Sequence, residues 1–386
     1  MSIATPLQIV SPKRVSVLDE DALKRELIEL TSRLVSFRTV AGNYEELHAC
    51  LHSIGEYLGK LAGVHFSRYE NRDCPYLVVS TADTKHPDII LSGHIDVVPA
   101  AAEQFVPRLK GDRLYGRGAL DMKGGVAAIL TLFRDLADRR GGPSLALMLT
   151  SDEEQGSVGA HYLAQEHGWR TNFLLIPEGG EEMRFVAREK GSCWIKVTAR
   201  GRAAHSAYPW RGENAAENLM TALVKLQTLV PPPADAWQSS ISVSSLSAGE
   251  RSARNQIPDY AEAILDVRYT PDFGSSGKEV IARFSQAAPD VAFELMANGD
   301  ALAGSYTNNL LLRLQAITAR RLGFTVPLGY NHGASDAAAF ATFNIPAMTS
   351  GVVGAHHHGD HEYVSIKSLS DYYHIVREFI LSWPGT

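Results

Sequence analysis

The chain has 386 residues, of which 45% are hydrophobic and 21% charged, and its formal net charge is -6. This length suggests two or three domains, and the composition is ordinary for a globular protein. The absence of a long run of one charge argues against nucleic-acid binding, and no apolar run approaches the ~20 residues that span a bilayer.

The N-terminus and the cysteines together predict a cytoplasmic protein. Residues 1–30 lack the basic start and sustained apolar core of a secretory signal. Cys50, Cys74 and Cys193 are odd in number and widely spaced, which argues against a disulfide framework and against a thiolate zinc site. With 14 histidines and 43 acidic residues, any metal site here would use imidazole and carboxylate ligands.

The first half of the chain alternates helix and strand patterns. Residues 19–35 and 46–62 have helical periodicity, and a further helix is predicted over Gly125–Arg139. Short apolar runs at Tyr76–Val79, Ile89–Leu91 and Leu145–Leu149 are bounded by turn residues, as is typical of buried parallel strands. The alternation predicts an α/β domain whose mainly parallel central sheet is flanked by helices.

The pattern changes after about residue 189. Strand, helix, strand, strand, helix and strand signals follow one another from Cys193 to Ala297, which is the order of a ferredoxin-like unit. Signals of the first type resume at residues 306–322. We therefore predict an inserted α+β domain over residues 189–300, within a larger domain built from residues 1–188 and 301–386.

Candidate metal ligands follow several of the predicted strands. His94 and Asp96 come after the second apolar run, Glu153 and Glu154 after the third, and Glu178 after a fourth at Leu174–Ile176. Ligands of open α/β sheets bind beyond the carboxyl ends of the strands. Because alternate residues of an extended segment share a face, Asp96 is placed to accept the second ring N–H of His94.

Two further clusters lie outside the strands. The glycine-rich segment Gly116–Gly125 holds one acidic residue, Asp121, and by itself fits a turn, a ligand site or a phosphate-binding loop. Its spacing does not match GxxxxGK[ST], and an acidic residue would repel a phosphate. Late in the chain, histidines cluster at 356–358 and 361. The combined His, Asp and Glu set suits zinc, cobalt or manganese.

At this point the sequence resembles the co-catalytic zinc hydrolases that include aminoacylase, acetylornithine deacetylase, succinyl-diaminopimelate desuccinylase and glutamate carboxypeptidase. The resemblance runs from about residue 22 to the C-terminus. The segments that carry it, in order, are GHIDVVP, GRGALDMKGG, SDEEQGS, GRAAHSAYPWRGENA and GASDA. One departure is the segment between Pro99 and Gly116, which lacks the Trp-containing stretch common in that family.

The resemblance implies two divalent metal ions, most simply zinc, with cobalt or manganese as alternatives. Asp121 would bridge them, and the peptide bond from Asp121 to Met122 would be cis. His94 and Glu178 would complete one metal site and Glu154 the other, while Glu153 would act as general base toward a metal-bound water. The late ligand would be His358, with His357 as the alternative.

The resemblance also assigns the inserted domain as a lid and dimerisation domain. His205 would stabilise the oxyanion in the active site of a partner subunit, so the enzyme would be a homodimer. Asn255, Arg268 and Gly333 would hold the substrate, with a structural salt bridge as the competing interpretation for Arg268.

The implied reaction is hydrolysis of an amide bond in an N-acyl-amino acid or small peptide with a free carboxylate, by a deacylase of the acetylornithine deacetylase or desuccinylase type. A dipeptidase or a glutamate-type carboxypeptidase on the same scaffold is the alternative. A glycine-loop phosphotransferase has no use for the late histidines. A non-catalytic binding module would be expected to have lost ligands or the base, and all candidates are present here.

Overall fold

A computed structural model of the chain describes residues 19–59, 61–139, 141–250, 252–349 and 351–384. The N-terminal segment that lacks a signal pattern falls largely outside these ranges, as do both ends of the predicted larger domain. The helices, in chain order, are α1 (Glu20–Ser36), α2 (Tyr44–Leu58), α3 (Gly124–Leu136), α4 (Val158–His161), α5 (Ala215–Leu229), α6 (Gly277–Ala287), α7 (Asn309–Leu322) and α8 (Ile366–Leu381).

The strands lie between these helices in the sequence. They are, in chain order, β1 (His65–Asn71), β2 (Cys74–Ser80), β3 (Ile89–His94), β4 (Arg108–Lys110), β5 (Arg113–Tyr115), β6 (Leu145–Thr150), β7 (Phe173–Ile176), β8 (Phe185–Glu189), β9 (Gly191–Arg200), β10 (Ala204–His205), β11 (Ser240–Ala248), β12 (Gln256–Ile257), β13 (Tyr260–Tyr269), β14 (Ala292–Gly299), β15 (Leu302–Ala303), β16 (Leu328–Asn331), β17 (Ala347–Thr349), β18 (Gly354–Ala355) and β19 (Tyr363–Ser365).

The main sheet confirms the predicted α/β class. Its strand order is β1-β2-β6-β3-β7-β17-β8-β15, with β16 added beside β8. The central strands β6, β3, β7 and β17 are mutually parallel. The carboxyl ends of β3, β6 and β7 therefore meet at one edge, where the sheet can collect side chains from distant parts of the sequence.

The run at Tyr76–Val79 is a buried strand, but the expectation that it is parallel is wrong. It belongs to β2, which pairs antiparallel with both β1 and β6. All seven residues of β2 are buried, and burial on both faces produces the same apolar run whichever way the strand points. The direction is set by the short turn from β1, a strand that the sequence analysis did not identify.

The second sheet has the predicted ferredoxin-like arrangement. Its strand order is β11-β13-β9-β14, and every neighbouring pair is antiparallel. Alternate residues of β9 and β13 are buried, and they form an apolar cluster with α5 and α6 that is separate from the core of the main sheet. The two cores agree with an inserted domain, while its limits at residues 189 and 300 stay a prediction.

A third sheet, small and peripheral, was not predicted. Its order is β18-β19-β5-β4, and it pairs Tyr115 of β5 with Tyr363 of β19. This pairing brings the end of the late histidine segment against the start of the glycine-rich segment. Within the described ranges, no helix is both long enough and apolar enough to cross a membrane.

Candidate metal centre

The first predicted ligand, His94, is the last residue of β3 and is almost fully buried. Its Nε2 atom lies 3.1 Å from Oδ1 of Asp121. Its Nδ1 atom lies 3.0 Å from the backbone oxygen of Asp96 and 3.5 Å from the Oδ1 atom of the same residue. The orientation of the ring is therefore set by Asp96, with the backbone carbonyl as the nearer acceptor.

The side chain of Asp96 has a second set of partners. Its two carboxylate oxygens accept the backbone N–H groups of Glu153 and Glu154 at 3.2 and 3.0 Å. Asp96 thus connects the end of β3 to the acidic turn that follows β6. This arrangement fixes the backbone of the acidic pair relative to His94.

The glycine-rich segment places Asp121 at the centre of the cluster. Gly118 has φ of 79°, a conformation that suits glycine, and the chain then makes a tight turn into α3. The peptide bond from Asp121 to Met122 is cis, as the resemblance implied. Lys123 is buried and its amine donates to the backbone oxygen of Phe37 at 2.8 Å, so it is turned away from any role as a phosphate-binding lysine.

The late histidine segment closes the cluster from the opposite side. His358 Nε2 lies 3.0 Å from Oδ2 of Asp121 and 3.1 Å from Oε1 of Glu154. His357 also contacts Oδ2 of Asp121 through its Nε2 atom. The structure therefore brings both alternatives to Asp121, and only His358 also contacts Glu154.

Among the described residues, two groups of side chains have the geometry to hold a metal ion, and they share Asp121. One group is His94, Asp121 and Glu178, and the other is Asp121, His357 and His358. Within the first group, Glu178 Oε1 lies 3.9 Å from His94 Nε2, and Glu153, which belongs to neither group, has an oxygen 4.0 Å from the same atom. A carboxylate shared by two ligand groups is the geometry of a two-metal site.

The donor chemistry of the cluster fits divalent cations. The Oε2 atom of Glu178 is buried and has no hydrogen-bond partner among the described residues. Burial, with the nearby charge of Asp121, raises the pKa of Glu178 to about 8. Burial likewise raises the pKa of Glu153 well above its usual range, and the nearby charge of Glu178 acts in the same direction. Acidic groups crowded in this way are costly unless a cation balances them, and imidazole with carboxylate is a donor set that zinc accepts.

A cavity of about 260 Å³ opens beside the acidic pair and extends to the second sheet. Glu153 and Glu154 line it together with Trp194 and Arg268, which belong to β9 and β13 of that sheet. Arg268 donates from Nε and Nη2 to the carboxylate of Asp266 at 2.8 and 3.2 Å. The structural salt bridge considered for Arg268 is therefore present, and the same side chain also lines the cavity.

Three predicted site residues lie away from the metal ligands. His205 is exposed, and its Nε2 atom is 3.4 Å from the side-chain nitrogen of Asn255. Of the described residues that line the cavity, none is His205, Asn255 or Gly333. Ala334 and Ser335, which follow Gly333 in the chain, do line the cavity. The chain by itself therefore brings together the predicted ligands and the base, but not the predicted oxyanion donor.

Two charged residues next to the candidate metal ligands were not predicted from the sequence. Arg117 and Glu362 form a buried ion pair directly behind Asp121 and His358. Arg117 stands within the glycine-rich segment, and Glu362 directly follows the late histidine cluster. No local pattern indicates that residues so far apart in the chain would meet.

The chain is similar in sequence to the members of a known protein family. The sequence profile of peptidase family M20/M25/M40 matches residues 90–382. A succinyl-diaminopimelate desuccinylase of Rhizorhabdus wittichii is 27% identical over 387 residues, covering 93% of this chain and 99% of the relative. The desuccinylase of Methylobacterium radiotolerans is 33% identical over 310 residues, covering 73% of this chain and 78% of the relative.

Solved structures share the fold at low sequence identity. Aminopeptidase PepT from Bacillus cereus superposes with a TM-score of 0.71 at 18% identity, covering 92% of this chain and 98% of PepT. The dipeptidase Dug1p from Saccharomyces cerevisiae has a TM-score of 0.67 at 13% identity, covering 93% and 96%. These similarities show that the architecture is shared.

Proposed function

Because this chain belongs to peptidase family M20/M25/M40 and is a metal-dependent hydrolase, we propose that it hydrolyses an amide bond in an N-acyl-amino acid or small peptide with a free carboxylate. The observation that carries the proposal is the position of Asp121, shared between two groups of candidate ligands. The names of the relatives, which are desuccinylases, favour a deacylase over a dipeptidase or carboxypeptidase.

In the proposed site, His94, Glu178 and Asp121 hold one divalent ion, and Asp121, Glu154 and His358 hold the other. Zinc suits these ligands best, with cobalt or manganese as alternatives. Such ions, when bound, supply Lewis-acid activation of water and of the scissile carbonyl.

The chain's own residues then move the proton. Glu153 lines the cavity without being a member of either ligand group, so its carboxylate is available as a base. It would accept a proton from the attacking water and return it to the departing amine, as general acid–base catalysis requires. The backbone N–H of Glu153 donates to the carboxylate of Asp96, which fixes the backbone from which the Glu153 side chain extends.

The free carboxylate of the substrate would be recognised from the inserted domain. Arg268 lines the same cavity as Glu153. Its contacts with Asp266 use Nε and Nη2, and we propose that Nη1 is the donor to the substrate carboxylate. We propose that Asn255 and Gly333 also hold this carboxylate once the cleft is complete, although neither of these two residues lines the cavity in the single chain.

We propose that the cleft is completed by a second copy of the chain, with His205 donated in trans. Strand β11 lies at an edge of its sheet and exposes Val243 and Leu246. Helix α5 exposes Met220 and Val224 on the same domain. A free strand edge beside exposed apolar side chains suits pairing with an identical surface.

The cellular location also belongs to the proposal. The three cysteines are buried and unpaired, as expected of reduced cysteines that serve in packing. This agrees with the cytoplasmic location that the sequence predicts.

A substrate screen tests the proposal. The protein, loaded with zinc or with cobalt, is assayed on N-succinyl-, N-acetyl- and N-formyl-amino acids and on dipeptides. We expect turnover of at least one N-acyl-amino acid, and loss of that turnover when its free carboxylate is converted to an amide. Hydrolysis of dipeptides alone would indicate a dipeptidase instead of a deacylase. Equal turnover of the amidated substrate would refute recognition of the free carboxylate.

A further inference from the structure

The buried ion pair behind the metal centre joins two segments that are far apart in sequence. Arg117 Nη1 donates to Oε2 of Glu362 at 2.6 Å, and the two residues are only 3% and 1% exposed. A buried ion pair is weak evidence for stability, because desolvation of both charges offsets their attraction. Its contacts point to another role.

Both ends of the pair touch the backbone of a candidate ligand. The Oε1 atom of Glu362 accepts the backbone N–H groups of Leu120 and Asp121 at 2.9 and 3.2 Å. The Nη2 atom of Arg117 donates to the backbone oxygen of His358 at 2.9 Å. A displacement of either charged side chain would therefore move Asp121 and His358 relative to each other.

Strand pairing explains how the two charges meet. Tyr115 of β5 faces Tyr363 of β19, and the backbone N–H of Gly116 donates to the oxygen of Glu362 at 3.1 Å. Gln104 supports the same junction, because its backbone oxygen accepts the N–H of Arg117 and its side chain donates to the oxygen of Gly359. The junction thus has backbone and side-chain bonds on both segments.

From these contacts we propose that Arg117 and Glu362 are positioning residues, which hold Asp121 and His358 in one frame so that a divalent ion can bind between them. The inference rests on the proposed function, since it concerns the same metal centre. Partners that orient metal ligands without touching the metal typically change affinity by about 10- to 100-fold when they are replaced.

The test measures metal binding rather than activity. Metal-free Arg117→Lys protein is titrated with Co²⁺, and binding is followed by dialysis and by the visible absorption of the cobalt. Lysine keeps the charge but lacks the fork that bonds Glu362 and the His358 carbonyl together. We expect one cobalt to bind about 10- to 100-fold more weakly with an altered spectrum, and the thermal melting of the metal-free protein to stay close to that of the control.

Arg134→Lys is the matched control, since Arg134 also bonds carboxylates, those of Glu26 and Asp135, but none of the candidate ligands. Unchanged cobalt affinity and spectrum in Arg117→Lys, or equal weakening in Arg134→Lys, would overturn the inference. If Arg117→Lys does not fold, Glu362→Gln is judged by the same criteria. Wild-type protein that binds no cobalt would instead contradict the proposed function.

Discussion

The candidate metal centre and the pair His205 and Asn255 both come from distinctive sequence motifs, yet only the candidate metal centre is assembled within one chain. His94, Asp121 and Glu178 come from three separate segments and converge to form one ligand group. His205 and Asn255 contact each other and stay exposed. The difference follows from architecture, because the parallel central strands of the main sheet gather their carboxyl ends at one edge, whereas His205 lies on β10, outside that sheet.

The two regions should therefore respond differently to mutation. Changes at the metal centre should act within each chain and alter metal content or proton transfer. Changes at His205 or Asn255 should leave metal content intact, and a second chain that carries the unchanged residue should restore the activity. The following expectations run from the largest effect to the smallest.

Replacing Asp121 by Ala should have the largest effect, because this carboxylate belongs to both ligand groups. We expect metal content to fall from about two ions per chain to nearly none, and turnover to fall to background. Metal analysis of protein purified without chelator measures the first quantity. Retention of one tightly bound ion with substantial activity would contradict a bridging role.

Replacing Glu153 by Gln should separate catalysis from metal binding. The amide keeps the shape of the side chain but cannot accept a proton, so we expect turnover to fall by ~10²–10⁴-fold with metal content nearly unchanged. The neighbouring change Glu154→Gln serves as the comparison and should weaken metal binding, since Glu154 contacts His358. Reversed phenotypes would mean that the two roles are exchanged.

Replacing His205 by Ala tests donation between chains. Loss of one oxyanion donor typically lowers turnover by ~10²–10³-fold, and His52→Ala, another exposed histidine, should be neutral. Mixing His205→Ala chains with Glu153→Gln chains should produce heterodimers with one complete site and activity well above either parent. If subunit exchange is demonstrated and activity does not rise, His205 does not act in trans.

The smallest expected difference is the one between the variants of the late histidines. Because His358 contacts both Asp121 and Glu154, His358→Ala should weaken binding of one metal ion strongly. His357→Ala should weaken it less, and His361→Ala, outside both ligand groups, should not. Cobalt titration of the three variants measures this order, and a stronger loss in His357→Ala would make His357 the ligand.

Much of the fold and of the candidate site could be predicted from local patterns. The apolar runs that end near His94, Glu153 and Glu178 are strands, because short apolar runs between turn residues have few other stable forms. The ferredoxin-like order was readable for a similar reason, since alternation in β9 and β13 reports a sheet with one buried face.

Other features depended on tertiary structure. The direction of β2 was not encoded in its composition, because a strand buried on both faces has the same apolar run in either direction. The ion pair of Arg117 with Glu362 spans 245 residues of sequence, and it exists only because β5 pairs with β19. Likewise, the sequence left His357 as an alternative to His358, and only folding placed His358 against Glu154.

The sequence by itself determined the chemistry available to this protein: an imidazole and carboxylate donor set and a spare carboxylate. Residue types and short-range periodicity suffice for that, because both act over a few neighbours in the chain. Only the tertiary structure decided which oxygen faces which nitrogen, and that His205 lies apart from the metal ligands. Those outcomes depend on strand direction and domain placement, which are settled by contacts between residues that no local pattern relates.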